Sequence, residues 1–365
     1  MLDKIIYFSI KNKLIIGVFT IALLFWGIWS ATKLPIDAVP DITNNQVQII
    51  TTSPSLAAQE VERLITFPVE IAMANIPGLI EVRSISRFGL SVVTVVFTDE
   101  TDIYWARQQV NEHLQEAINQ IPKGVGIPEM GPVSSGLGEI YQYVIHPKKG
   151  YENKYDAMEL RTIQDWIVRR QLLGTKGVAD ISSMGGYVKQ YEIAINPDML
   201  RSMNITIAEV FTAIEKNNQN TGGAYIDKQP NAWFIRTEGL ATTIGDIEKI
   251  VIKNTSNGTP VLVKNVASVH YGHAVRYGAM TRNNDGEAVG GVVLMLKGEN
   301  SNEVISNVKE RIEQIKKTLP EGIELEAFLD RTHLVNRAIT TVSKNLIEGA
   351  LIVIFVLVVF LGNFR

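Results

Sequence analysis

The chain has 365 residues, with 35 Lys and Arg against 38 Asp and Glu, for a formal net charge of −3. That balance offers no basic surface for nucleic acid. The absence of cysteine excludes disulfides and thiolate metal sites, and 46% hydrophobic content in a chain this long can fill a core without such staples.

The first element in chain order is the apolar run Leu14–Ala31, 18 residues without a charge and long enough to span a bilayer. Lys4, Lys11 and Lys13 precede it, which orients its amino-terminal end to the cytoplasm. A cleaved signal peptide is the rival reading of residues 1–31. Against it, the run exceeds a signal's usual apolar region, and Trp26 and Trp29 stand where small residues should precede a cleavage site. A second charge-free run, Gly349–Phe364, closes the chain before Arg365; Leu346 and Ile347 extend it if Glu348 lies at the interface. The region between is expected outside the membrane, hung from the bilayer at both ends.

Within that region Val47–Thr52 alternates as a strand, with Val47, Ile49 and Thr51 on one face. Ser53 and Pro54 are expected to open a helix that runs to about Ala74 and kinks at Pro68. Leu79–Arg87 and Ser91–Phe97 form a hairpin around Gly89, and Asp102–Gln120 is a helix ended by Pro122, followed by a short extended piece. The order is β-α-β-β-α-β, the split βαβ pattern of ferredoxin-like folds. It then begins again, with strand Glu139–His146, helix Asp156–Leu173 and a strand from Gly177. Gly177 falls on Gly78 at an offset of 99, whereas Pro320-Glu-Gly-Ile falls on Pro122-Lys-Gly-Val at 198. The jump predicts an internal repeat whose second copy carries an insertion, roughly Tyr187–Gly278. The insertion offers strands Gln190–Ile195, Trp233–Arg236 and Val261–Lys264, a helix Thr206–Asn217 and a polar stretch Asn217–Gly223. It reads either as a contact-making extension or as a small α/β subdomain that packs on its host.

No nucleophile elbow, phosphate-binding loop or HExxH motif is present. His270 and His273 stand three apart near a strand end without an adjacent acidic partner. Met73, Met130, Met158, Met184, Met280 and Met295 are scattered, as core residues are. Asp37 and Asp41, in LPIDAVPDIT just outside the first span, are the candidate metal-facing residues at the mouth of a transport path. Their structural alternative is holding a Pro-rich linker at the membrane surface. Glu348 is a candidate intramembrane acid or an interface residue.

LPIDAVPDIT (34–43), GLSVVTVVF (89–97), TDIYWARQ (101–108), PEMGPVSSGLGEIY (128–141) and FLDRTHLVNRAI (328–339), taken in order, resemble the heavy-metal efflux branch of the resistance–nodulation–division (RND) transporters, the CzcA/CusA type. The resemblance covers the whole chain. It implies an α+β membrane protein in which two transmembrane helices, 1–33 and 332–365, bracket a periplasmic region. That region would comprise a first ferredoxin-like porter subdomain at 34–138, a second split into 139–186 and 279–331, and a docking insertion at 187–278. It also implies a bacterial inner-membrane homotrimer that works with a periplasmic adaptor protein and an outer-membrane channel. Such a pump is a secondary active transporter, not an enzyme, exporting metal cations in exchange for protons and using no cofactor. Because family members continue beyond the second span, the chain is expected to be an amino-terminal portion, with no catalytic, proton-relay or central metal residues of its own. The lack of Cys and of paired Met leans the cargo away from Cu or Ag, and the resemblance of the segments is nearer the Co/Zn/Cd type. A two-span extracytoplasmic ligand sensor and an RND exporter of hydrophobic compounds are the alternatives.

Overall fold

The computed structural model describes residues 7–9, 11–32, 41–255, 258–283 and 286–361. In chain order the elements begin with α1 (Lys13–Thr32), β1 (Asn45–Thr52), α2 (Ala58–Val61), α3 (Phe67–Met73), β2 (Leu79–Arg87), β3 (Leu90–Phe97), α4 (Ile103–Gln120) and β4 (Glu129–Met130). There follow β5 (Glu139–Pro147), α5 (Ala157–Ile163), α6 (Arg169–Leu172), β6 (Val178–Met184), β7 (Lys189–Ile195), α7 (Pro197–Ser202) and α8 (Ile207–Lys216). Next are β8 (Thr221–Lys228), β9 (Asn231–Thr237), α9 (Ile244–Glu248), β10 (Val251–Asn254), β11 (Pro260–Leu262), α10 (Val263–Val266) and β12 (Ala267–His273). The last are β13 (Met280–Thr281), β14 (Glu287–Met295), α11 (Ser301–Lys316), β15 (Ile323–Asp330) and α12 (Thr332–Leu361).

Two compact units emerge. One holds Met1–Lys154, Ile163–Met184 and Met280–Arg365; the other holds Tyr155–Thr162 and Gly185–Ala279. The first unit contains two antiparallel sheets. One has the order β2-β3-β1-β4, and in the other β14 lies between β5 and β6 while β15 pairs on the far side of β5. Val47, Ile49 and Thr51 are buried on β1, as their alternation requires, and Val93, Val95 and Phe97 meet them from β3. Val110, Leu114 and Ala117, spaced at helical intervals on α4, close this core. In the second sheet the same duty falls to Val304, Val308, Ile312 and Ile315 of α11.

The two halves of this unit share their local chemistry at the offsets expected. Gly78 and Gly177, at φ +77° and +85°, each turn the chain into an edge strand, a conformation that disfavours any side chain. The carbonyl of Gly78 accepts from Thr98 N–H at 3.1 Å and that of Gly177 from Leu296 N–H at 2.9 Å. Asp102 caps α4 by accepting from Tyr104 and Trp105 N–H, and Asn300, 198 residues on, caps α11 through Asn302 and Glu303.

Three local expectations change. The first helix starts at Ala58, not at Ser53–Pro54, which lie in a turn. The kink expected at Pro68 takes the form of a π turn, Glu62–Thr66, just before it. Pro68 has no N–H for the Leu64 carbonyl, and the wider turn instead closes on Phe67 N–H to Glu62 O. A second π turn, Gln164–Val168, occurs without proline and turns Gln164 into the core. The strand expected at Val261–Lys264 stops at Leu262, where the Asn265 side chain takes the Leu262 N–H and α10 begins.

In the second unit β7 and β12 form one ribbon, β10 and β11 another, and Leu200 of α7 and Val210 of α8 join Ile205, Val261 and Val266 in a small core. The polar stretch Asn217–Gly223 ends inside β8.

α1 is 20 residues long and its apolar side chains are unburied; at about 1.5 Å per residue it matches a hydrocarbon core. α12 has 30 residues, more than a span requires. Its first turns belong to the second sheet's subdomain. There Val335 is fully buried and Asn302 Nδ2 reaches Asn336 Oδ1 at 3.5 Å. Glu348 lies 3.8 Å from Lys344 one turn earlier on the same helix.

Candidate functional site

Asp37 lies outside the described residues. Asp41 is described, and its carboxylate accepts the Thr43 N–H at 3.0 Å. Partial burial pushes it up, but hydrogen bonds from Ser135 and Thr43, with the Lys297 ammonium nearby, outweigh this and hold it below the usual carboxylate range. The carboxylate is therefore engaged by protein donors of the first unit.

A cleft of about 650 Å³ lies between α11 and β15, floored by Tyr141. Four carboxylates line it, Glu310, Glu313, Glu324 and Glu326, with Lys309 and Lys316 among them. These charges are largely spoken for. Glu313 pairs with Lys316 at 2.6 Å, and Glu326 pairs with Arg282 and lies 3.3 Å from His146 Nε2. Lys309 reaches Asp330 at 2.5 Å. Burial pushes the Tyr141 phenol up to about 12, with Asp330 and Glu313 adding to the effect. Asp330 is itself held low. Its partial burial is outweighed by Lys309 and by the hydroxyl and N–H of Thr332, which opens α12.

Among the described residues no group of three or more His, Cys, Asp or Glu is arranged to hold a metal ion. His270 and His273 sit three apart on β12, so they point to opposite faces and cannot share a ligand. His270 faces Glu192 at 3.9 Å while the His273 ring packs on Tyr187 at 4.6 Å. Of the methionines, Met73 and Met295 are buried, and Met184 is 47% exposed on β6.

The second unit presents the hairpin β8–β9, whose strands pair only with each other and whose described side chains at 222–236 are all exposed. Tyr225, Trp233 and Phe234 are 62%, 64% and 83% exposed, with Tyr225 and Phe234 facing across the strands at 6.2 Å. An isolated hairpin with three bare aromatic rings is marginal in water and characteristic of a surface that is covered in an assembly. Sequence reading found only Trp233–Arg236. The missed signal was the strand-favouring pair Tyr225-Ile226 on the other side of the Gln229-Pro230 turn.

The chain matches the AcrB/AcrD/AcrF family over residues 5–365. It is 43% identical to the cobalt-zinc-cadmium resistance protein CzcA of Cupriavidus metallidurans, over 100% of this chain and 34% of that protein. Identity is 46% with protein HelA of Legionella pneumophila, covering 35% of it, and 38% with the cation efflux system protein CusA of Escherichia coli strain K12, covering 34%. Two crystal forms of a heavy metal efflux pump superpose with TM-scores of 0.82 and 0.83 at 33% and 32% identity, over 97% of this chain and 35% of theirs. The chain thus spans about a third of the length of these relatives. By sequence and fold the chain belongs to the AcrB/AcrD/AcrF family, and along its whole length it resembles that family's members of the CzcA/CusA type.

Proposed function

We propose that this chain is the amino-terminal portion of a proton-driven exporter of heavy-metal cations in a bacterial inner membrane. The observation that carries it is the likeness to metal-efflux proteins along the whole chain, membrane helices included. In this reading α1 and α12 are the first two spans, with a cytoplasmic amino terminus. The subdomains at 34–138 and at 139–186 with 279–331 are ferredoxin-like porter modules. The insertion 187–278 is the docking element, and a separate compact unit at Gly185–Ala279 supports that division. The bare β8–β9 hairpin then contacts a neighbouring protomer of a homotrimer, and the assembly delivers metal through a periplasmic adaptor and an outer-membrane channel. Proton relay and the central metal site belong to the remainder of the pump. Asp37 and Asp41 are kept as the chain's candidate metal-facing acids; the donors already on Asp41 favour a structural part for it. The cargo is of the Co/Zn/Cd class, supported by 43% identity to the cobalt-zinc-cadmium protein against 38% to CusA.

The test is growth in graded Zn, Co, Cd and Cu of an efflux-deficient Gram-negative host with the cognate adaptor and channel. It compares this 365-residue chain with the gene read to its natural stop codon. Resistance from the full gene alone supports the proposal, and the metal tolerated names the cargo. Resistance from neither, with both proteins present in the membrane, refutes metal export and favours sensing or another RND cargo.

A further inference from the structure

The loop Gly131–Gly138 joins the first sheet to the second and takes no part in the cleft or the hairpin, yet its backbone is held by successive elements around it. Gly131 N–H donates to the Gln48 carbonyl at 2.8 Å, and the Gly131 carbonyl accepts Arg107 Nη1 at 2.7 Å, which ties the loop to β1 and α4. The Val133 carbonyl accepts Lys297 N–H at 3.1 Å and the Gly138 carbonyl accepts Met295 N–H at 2.8 Å, which ties it to the end of β14. Lys297 also stretches its ammonium to Asn45 Oδ1 at 3.4 Å, bridging back to the first sheet.

The two remaining attachments come from the approaches to the membrane helices. Asp41, which follows α1 by nine residues, hydrogen-bonds Ser135 and lies in the field of Lys297. Arg331, immediately before α12, gives its N–H to the Ile140 carbonyl at 3.2 Å and its guanidinium to the Leu137 carbonyl. Asp41 through Ser135 and Arg331 through Leu137 are therefore both attached to this eight-residue loop. Carbonyls held by charged donors make the loop a fixed node, because such bonds are stronger than neutral ones. Packing adds to this at one position. A Cβ at Gly138 would meet Ser134 Oγ at 2.0 Å, whereas one at Gly136 would meet nothing within 4 Å.

We propose that Gly131–Gly138 is a junction that couples Asp41, on the approach to the first sheet, with Arg331, at the base of α12, and that Arg331, Lys297 and Asp41 are its positioning residues. Its purpose rests on the export reading; the coupling is a property of the fold and is measured apart from transport.

The experiment is hydrogen exchange by mass spectrometry on the full gene product in lipid nanodiscs. It compares wild type, Asp41→Ala, Arg331→Met and the double variant, with Gly136→Ala as control. Arg331→Met is expected to speed exchange about tenfold at 138–141 and, across the loop, at 41–45, the size expected for losing a charge-assisted bond. Asp41→Ala, a more exposed contact, is expected to speed exchange about two- to fivefold at 330–335. The double variant should fall short of the product of the singles, and Gly136→Ala should leave exchange unchanged. Effects confined to each variant's own residues, with a multiplicative double, overturn the junction. In cells, Arg331→Met should lower the maximal export rate at normal abundance with unchanged half-saturating metal, and Arg331→Lys should restore part of it. Wild-type export by Arg331→Met overturns the junction's part in transport. If the wild type confers no resistance to any metal, the export reading fails, and the exchange result alone supports or overturns the junction.

Discussion

Replacing Tyr143 and Gln164 singly and together measures what the second π turn contributes to the fold. Tyr143 lies on β5 at the middle of its sheet, and its phenol donates to Gln164 Oε1 at 3.0 Å. The Gln164 amide donates in turn to Ser183 Oγ at 3.2 Å, and Ser183 donates to Asp165 at 2.5 Å. Both partners are fully buried, and burial pushes the Tyr143 phenol far above its ordinary value, so it stays a neutral donor at any working pH. Tyr143→Phe leaves the Gln164 oxygen without its donor and should cost about 1–2 kcal/mol. Gln164→Leu leaves a buried hydroxyl unpaired and strips Ser183 of a partner, at about 1–3 kcal/mol. The double variant removes both ends of the bond and should be less destabilised than the sum by at least about 1 kcal/mol. Thermal unfolding of the detergent-solubilised protein, followed by proteolytic susceptibility of the 139–186 segment, reads all four corners of the cycle. Additivity within about 0.5 kcal/mol would refute the claim that this bond holds the π turn on the sheet.

Three further outcomes are expected. Gly177→Ala should destabilise by about 2–4 kcal/mol, since it combines a left-handed backbone with a Cβ placed 2.4 Å from Val304 Cγ2. Gly78→Ala, with only Thr101 Oγ1 near at 3.1 Å, should cost about 1 kcal/mol less, as chemical denaturation of both variants will show. Trp233→Ser with Phe234→Ser should weaken protomer association in native mass spectrometry while leaving the unfolding temperature within about 2 °C, because both rings are largely exposed. Acid should release α12 from α11. Asp330 is held below its ordinary value, so its contribution is complete above about pH 4 and is lost as pH falls through the lowered folded value. Exchange at Thr332 N–H should rise over that acid window, and Asp330→Asn should abolish the rise.

Sequence alone determined the features that periodicity dictates and those set by single residues with few conformational choices. An uncharged, mostly apolar run of 18 residues calls for a bilayer or a large core, so the first long apolar helix was legible without any fold. Alternation at Val47, Ile49 and Thr51 assigned their shared buried face, and the pairing of Gly78 with Gly177 and of Pro122 with Pro320 pointed to an internal repeat because turns accept so few residue types. Tertiary structure decided the rest. Nothing in GPVSSGLG announces that Asp41, Lys297 and Arg331, up to 290 residues apart, meet on it; hydrogen bonds to backbone carbonyls leave no residue signature at the acceptor. The π turns were hidden for a similar reason: at Gln164 a polar residue breaks the apolar period, and only the hydroxyls of Tyr143 and Ser183 explain its place in the core. The spacing of His270 and His273 suits a helix, but their strand pairs with β7 and sends them to opposite faces. Local propensity is written residue by residue, whereas which side chains share a site is fixed only when distant strands take their register.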